Sequence, residues 1–253
     1  MQTQEEKWLL QEKYNGVVTP SFETDKMRLL RGEPLAYVIG SIPFLGVNVD
    51  VSLRPHIPRV ETEFWMEKII TLLQNDPREQ LACLDIFGGS GCIGLAVLLH
   101  IGKATMDFAD CDIRCVEQIE KNIVRHNFTD RSRVFVSDVF EQVHGTYDYI
   151  LANPPYIGKK NIGRVAASVM KYEPHQALFS GEDGLDFIRR FLTEAPRHLK
   201  DGGAIALEFD DISRDAVEDI LRALRYKNRR FGKDQYDKWR YVFVSEPIQS
   251  LTA

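Results

Sequence analysis

At 253 residues, 44% hydrophobic and 27% charged, the chain can bury a large core, as one big domain or one domain plus a small one. A net charge of −5 advertises no basic field for nucleic acid, and no apolar run reaches the roughly 18 residues of a membrane span. The polar start Met1-Gln2-Thr3-Gln4-Glu5-Glu6 is unlike a signal peptide. Cys83, Cys92, Cys111 and Cys115 lack zinc-site spacing and read as buried, reduced thiols of a cytoplasmic protein, with no metal expected.

In chain order, residues 3–31 read as one or two short helices marked by Trp8, Leu9, Leu10, Met27, Leu29 and Leu30, interrupted at Asn15-Gly16 and Pro20. Gly32 to Gly40 is a turn-rich join. Val47, Val49, Val51 and Leu53 then alternate with polar residues, the pattern of a half-buried hairpin strand. Arg54-Pro55-His56-Ile57-Pro58-Arg59 is an extended, proline-pinned crossing into a helix over about 61–74. From there strands and helices alternate. Strands are expected at Leu81–Phe87, Thr105–Ala109, Arg133–Val136, Tyr147–Leu151, Gly203–Phe209 and Lys238–Ser245. Helices are expected over 91–101, along Ile113, Val116, Ile119 and Ile123, along Leu185, Ile188, Leu192, Ala195 and Leu199, and around Ala216 to Leu224. The alternation predicts an α/β fold with a mostly parallel sheet covered on both faces. The cations Arg222, Arg225, Lys227, Arg229, Arg230 and Lys233 read as exposed charge near a helix end.

Two stretches carry chemistry. Leu84-Asp85-Ile86-Phe87-Gly88-Gly89-Ser90-Gly91 joins the first apolar strand to a helix. Its glycines allow close approach of a ligand, and the helix start offers N–H groups to a carboxylate. Such a loop alone also serves dinucleotides, but Asp85 within the strand end suits a ligand ammonium. Asp110 ends the next strand, placed for ribose hydroxyls, and Asp138 ends the third, placed for an adenine amino group. Carboxylate, ammonium, ribose and adenine together describe S-adenosylmethionine. The second stretch is Ala152-Asn153-Pro154-Pro155-Tyr156. Paired prolines force the chain out of the sheet and leave an amide and an aromatic ring at a strand's carboxyl end. The Asn153 side-chain oxygen and the Pro154 carbonyl can each accept one N–H of a planar NH2 group, with Tyr156 stacked behind it. Orientation can lower the barrier by roughly 7–11 kcal/mol, more than the hydrogen bonds themselves.

These residues resemble the HemK/PrmC family of class I methyltransferases. The resemblance rests on Gly32-Glu-Pro-Leu-Ala-Tyr, Ile57-Pro-Arg-Val-Glu-Thr-Glu63, the loop from Leu84 to Gly94, Asn153 to Tyr156, Glu173-Pro174 with Ala177-Leu178, and Gly181 to Asp186, in family order. It implies a Rossmann-like, mostly parallel seven-stranded sheet with helices on both faces over 61–253. A short helical segment (1–31) and a linker with a β-hairpin (32–60) would precede it. It implies S-adenosylmethionine as cofactor, held by Asp85, Phe87, Gly88, Gly89, Ser90, Gly91, Asp110, Asp138, Val139 and Asn153. The methyl acceptor would be the glutamine amide of the Gly-Gly-Gln motif of a peptide release factor, held by Asn153, Pro154, Pro155 and Tyr156, of which Asn153, Pro154 and Tyr156 are the expected catalytic residues. No DNA or membrane partner is expected, and the protein reads as a monomer. Two other readings compete: methylation of an adenine or guanine amino group in RNA or DNA, and a non-catalytic cofactor-binding scaffold. Three features depart from the family pattern. Phe87 occupies a usual glycine position, and Val60 replaces a usual proline. The helical segment before Gly32 is short, which predicts weaker docking of the release factor and a raised KM.

Overall fold

Two capped helices open the computed structural model, which describes residues 3–245; Met1, Gln2 and 246–253, the tail of the expected methyltransferase domain, lie outside the described residues. Helix α1 (Gln4–Tyr14) is capped by Thr3, whose hydroxyl accepts from Glu6 N at 3.2 Å. Helix α2 (Pro20–Leu30) starts with proline at a position whose N–H has no helical partner, and Thr19 caps it. Leu9, Phe22 and Leu29 close against Val38 of α3 (Leu35–Ile39) in a small core of their own.

The expected hairpin is β1 (Ser41–Phe44) paired with β2 (Val47–Asp50), its turn at Leu45 and Gly46 taking φ 44 and 83. Two positive φ values match the right-handed twist of paired strands. Val47, Val49 and Val51 point inward as their alternation predicts, whereas Leu53 is exposed. Buried Asn122 receives Asp50 N at 2.8 Å and donates to Ser90 O at 3.0 Å, which ties the hairpin to the glycine loop.

After α4 (Val60–Gln74) comes the main sheet. Its strands are β3 (Leu81–Ile86), β4 (Ala104–Asp110), β5 (Ser132–Val136), β6 (Tyr147–Ala152), β7 (Leu199–Glu208), β8 (Asn228–Lys233) and β9 (Trp239–Ser245). They lie in the order β5-β4-β3-β6-β7-β9-β8, parallel from β5 to β7, with β9 antiparallel to both its neighbours. One core lies on the face covered by the hairpin, α4, α5 (Cys92–His100) and α6 (Ile113–Arg125); after the short α7 (Ala167–Tyr172), α8 (Asp186–Glu194) and α9 (Arg214–Ala223) cover a second core on the other face. From β3 the chain steps outward through β4 to β5, then returns to the other side of β3 at β6. The loops after β3 and β6 therefore separate at the switch point, where a crevice opens at the carboxyl edge.

Three expectations are corrected. The stripe from Leu185 to Leu199 is not one helix: α8 stops at Glu194, Pro196 sits in a 3-10 turn, and Leu199 begins β7. The basic cluster is not only helix-end charge, because Arg229, Arg230 and Lys233 lie in the edge strand β8. Charged residues on an edge strand block further strand pairing. All four cysteines are free thiols, but Cys111 is exposed rather than buried.

Candidate active site

Strand β3 delivers the chain to Phe87 at the sheet's carboxyl edge. Phe87, Gly89 and Gly91 take φ 62, 56 and 80. Glycine adopts such angles freely; phenylalanine does so under strain. The Phe87 ring is held by Phe187 and Phe191, with centroids 5.8 and 6.2 Å away. A Cβ on Gly88 would meet Ile119 Cδ1 at 2.9 Å, so the loop lies directly on α6.

This loop forms one wall of a cavity also bordered by Asp110, Ser137, Asp138, Val139, Asn153 and Pro155. Asp110 accepts from Gly89 N at 2.8 Å and from Asp112 N at 2.9 Å, and burial pushes its carboxyl above the ordinary range. Val139 has φ 53, an unusual angle for a β-branched residue, and the Ser137 hydroxyl donates to its carbonyl at 2.8 Å. Asp138 borders the cavity with its carboxylate 2.7 Å from Arg190 Nη1. The lining fits S-adenosylmethionine. Asp110 offers an acceptor for vicinal hydroxyls, Ile86, Phe87, Val139 and Phe187 offer apolar walls, and two glycines leave the floor free of side chains. Asp85 is different from the expected ammonium partner. It is 1% exposed and does not border the cavity, and its Oδ2 accepts from Gly94 N at 2.8 Å in the first turn of α5. Burial pushes its carboxyl up to about 8, so it is mostly uncharged at neutral pH. Gly91 caps α5 and does not border the cavity either.

Strand β6 ends at Ala152, and Asn153 to Tyr156 follow. Pro154 is buried, Pro155 borders the first cavity, and Tyr156 borders a second one with Ile157, Asn161, Arg164, Val165 and Asp210. Asn153, His56 and Arg59 border both cavities. Among the described residues nothing donates to Asn153 Oδ1 or to the Pro154 carbonyl. Asn153 Nδ2 donates to Thr62 Oγ1 at 3.2 Å. The Tyr156 hydroxyl donates to Glu208 Oε1 at 3.0 Å, and burial, with the Glu208 carboxylate beside it, raises the phenol well above its ordinary value.

Four further residues frame this site. Glu173, 5% exposed, lies 2.7 Å from His56 Nδ1 and also receives Arg59 and Ile57 N. Burial alone would raise Glu173, but His56 and Arg59 hold it down at about 2. It is part of a quoted motif, yet sequence reading gave it no role. Thr62, Trp65 and Glu208 were missed too: Trp65 reads as one apolar mark of a helix face, and Glu208 as a strand residue 146 positions from Thr62.

A seven-stranded switch-point sheet with a glycine loop over one cavity and Asn-Pro-Pro-Tyr over the adjoining one defines a class I methyltransferase that uses S-adenosylmethionine. Residues 67–185 match the methyltransferase small domain family. A release factor glutamine methyltransferase of Streptococcus pneumoniae is 35% identical over 87% of this chain and 77% of its own length, and one of Aquifex aeolicus is 32% identical over 78% and 69%. A ribosomal protein uL3 glutamine methyltransferase of Francisella tularensis is 32% identical over 70% of this chain and 56% of its own. The chain belongs to the release factor glutamine methyltransferase family. Similar solved structures include a methyltransferase from Pyrococcus furiosus, 20% identical with a TM-score of 0.55 over 89% of this chain and 100% of that one. The hMettl16 catalytic domain in complex with a 3'UTR hairpin is 16% identical with a TM-score of 0.64 over 83% and 78%. At those identities they speak for the fold.

Proposed function

We propose that the protein methylates the side-chain amide nitrogen of the glutamine in the Gly-Gly-Gln motif of a peptide release factor. The observation that carries the reading is Asn153, which borders both cavities and whose Oδ1 receives no donor among the described residues. Family membership selects glutamine among planar NH2 groups. In this reading Phe87, Gly88, Gly89, Ser90, Asp110, Asp138 and Val139 hold the cofactor, which when bound supplies an electrophilic methyl group. Asn153 Oδ1 and the Pro154 carbonyl take the two N–H bonds of the glutamine amide, and Pro155 and Tyr156 wall the second cavity around it. Orientation makes an otherwise poor nucleophile reactive. The nitrogen gains a methyl and loses a proton to water. Two glycines before the glutamine let its loop extend into a narrow opening. The protein acts as a monomer in the cytoplasm without a DNA partner. No described helix is long and apolar enough to cross a membrane.

The test is incubation with methyl-labelled cofactor and a release factor, ribosomal RNA and DNA together. One methyl on the Gly-Gly-Gln glutamine is expected, and none on a release factor with that glutamine changed to alanine. Label on a nucleic-acid base with the release factor bare would overturn the reading.

A further inference from the structure

An asparagine amide presents either its oxygen or its NH2 group, and only the oxygen can accept from a reacting amide. The end that Asn153 shows to the cavities is therefore a chemical variable, and a buried chain of hydrogen bonds sets it. Glu208, 1% exposed at the end of β7, receives Trp65 Nε1 at 2.6 Å and Thr62 Oγ1 at 2.7 Å, both on the same carboxylate oxygen, Oε2. An indole N–H only donates, so Oε2 accepts from Trp65, and it takes the Thr62 hydroxyl hydrogen on its other lone pair. The single Thr62 hydroxyl hydrogen is thereby committed to Glu208. Toward Asn153, 3.2 Å away, Thr62 can then only accept. The Asn153 NH2 must turn to Thr62, and Oδ1 must turn to the cavities.

We infer that Thr62 and Glu208 are positioning residues which fix the polarity of the Asn153 amide, so that Oδ1 faces the methyl acceptor. The inference rests on the proposed role of Asn153. Neither residue exchanges a proton with the substrate. Both act through Asn153. With Thr62→Val the hydroxyl is gone, the volume is kept, and both rotamers of the amide become available. Thr62→Ser keeps the hydroxyl.

Turnover is read at saturating cofactor, because Thr62 also borders the cofactor-side cavity. Thr62→Val lowers kcat roughly ten- to a hundredfold, the scale of a misplaced reacting group, while Thr62→Ser stays far closer to wild type. The inference falls if Thr62→Val turns over like wild type, or if Thr62→Ser falls as far as Thr62→Val. A second readout needs no methyl acceptor. In protein labelled with 15N, the Asn153 side-chain NH2, assigned by its loss in Asn153→Asp, has one proton slowed in exchange by Thr62. Thr62→Val abolishes that slowing, and Thr62→Ser keeps it. A slow proton persisting in Thr62→Val overturns the assignment. Should wild type fail to methylate a release factor, the functional reading falls, while this resonance still decides the inference.

Discussion

Phe87 stands where the glycine loop turns, in a conformation that an L side chain adopts at a cost of about 1–2 kcal/mol. Its ring offsets that by packing against Phe187 and Phe191. The two contributions separate in a pair of substitutions. Phe87→Ala loses the ring and keeps the strained backbone; Phe87→Gly loses the ring and relieves it. Glycine also carries more unfolded-state entropy, worth about 0.4–1 kcal/mol. The glycine variant should still be more stable than the alanine variant by about 0.5–1 kcal/mol, the reverse of their order inside a helix. Urea unfolding of both checks this, and an alanine variant at least as stable would mean that position 87 stores no strain. At this scale the sequence is legible where the backbone demands a residue type. Gly89 and the paired prolines announce themselves by conformation, and Asn153 by its place before those prolines. Thr62 and Glu208 do not, because each has an ordinary local role and acquires its other one from partners 91 and 146 positions away.

Among the elements, the crossing from Arg54 to Arg59 has no strand or helix to hold it, yet it borders both cavities through His56 and Arg59. Glu173 holds it through His56, Arg59 and Ile57 N. Its carboxyl sits at about 2 in the fold against an ordinary 4.5. A depressed carboxylate adds stability that is fully present above its unfolded value and is lost as pH falls through the folded one. Glu173 therefore supports the fold above about pH 4.5 and ceases to between there and about pH 2, with a span of up to about 3 kcal/mol. Asp85 has the opposite sign: with its carboxyl at about 8, its burial costs more as pH rises from 3.8 toward 8. Glu173→Gln should lower stability at pH 7 and flatten the acid limb, while leaving the neutral limb to Asp85. Denaturant midpoints from pH 2 to 8 check it, and curves that run parallel for the two proteins would remove Glu173 from the crossing's support. The elements that escaped sequence reading did so for physical reasons. Strand β8 has the composition of a solvated edge, with Arg229, Arg230 and Lys233 masking any alternation. The helical stripe continued past Pro196 because Leu199 keeps the spacing of α8 while belonging to β7.

For the whole molecule, the parallel sheet was legible from strand and helix alternation, because a buried central strand such as β6 is apolar along nearly all its length. What alternation could not reveal is where the cations are spent. Arg222 and Arg229 both pair with Glu218, Lys233 with Asp237, Arg240 with Asp234, Arg164 with Asp210 and Arg133 with Asp107. Cations already paired within the chain release few counterions on binding a phosphate backbone. A protein making about 6–10 phosphate contacts loses about 10³–10⁵ in affinity between 50 and 200 mM salt. A protein acceptor meeting a surface of net charge −5 should show a far shallower dependence, less than about tenfold in kcat/KM over that interval. Measuring methyl transfer to the release factor across that range checks the expectation. A steep fall shared by a competing RNA substrate would mean that a phosphate backbone, and not a folded protein surface, docks over the cavity that Tyr156 borders.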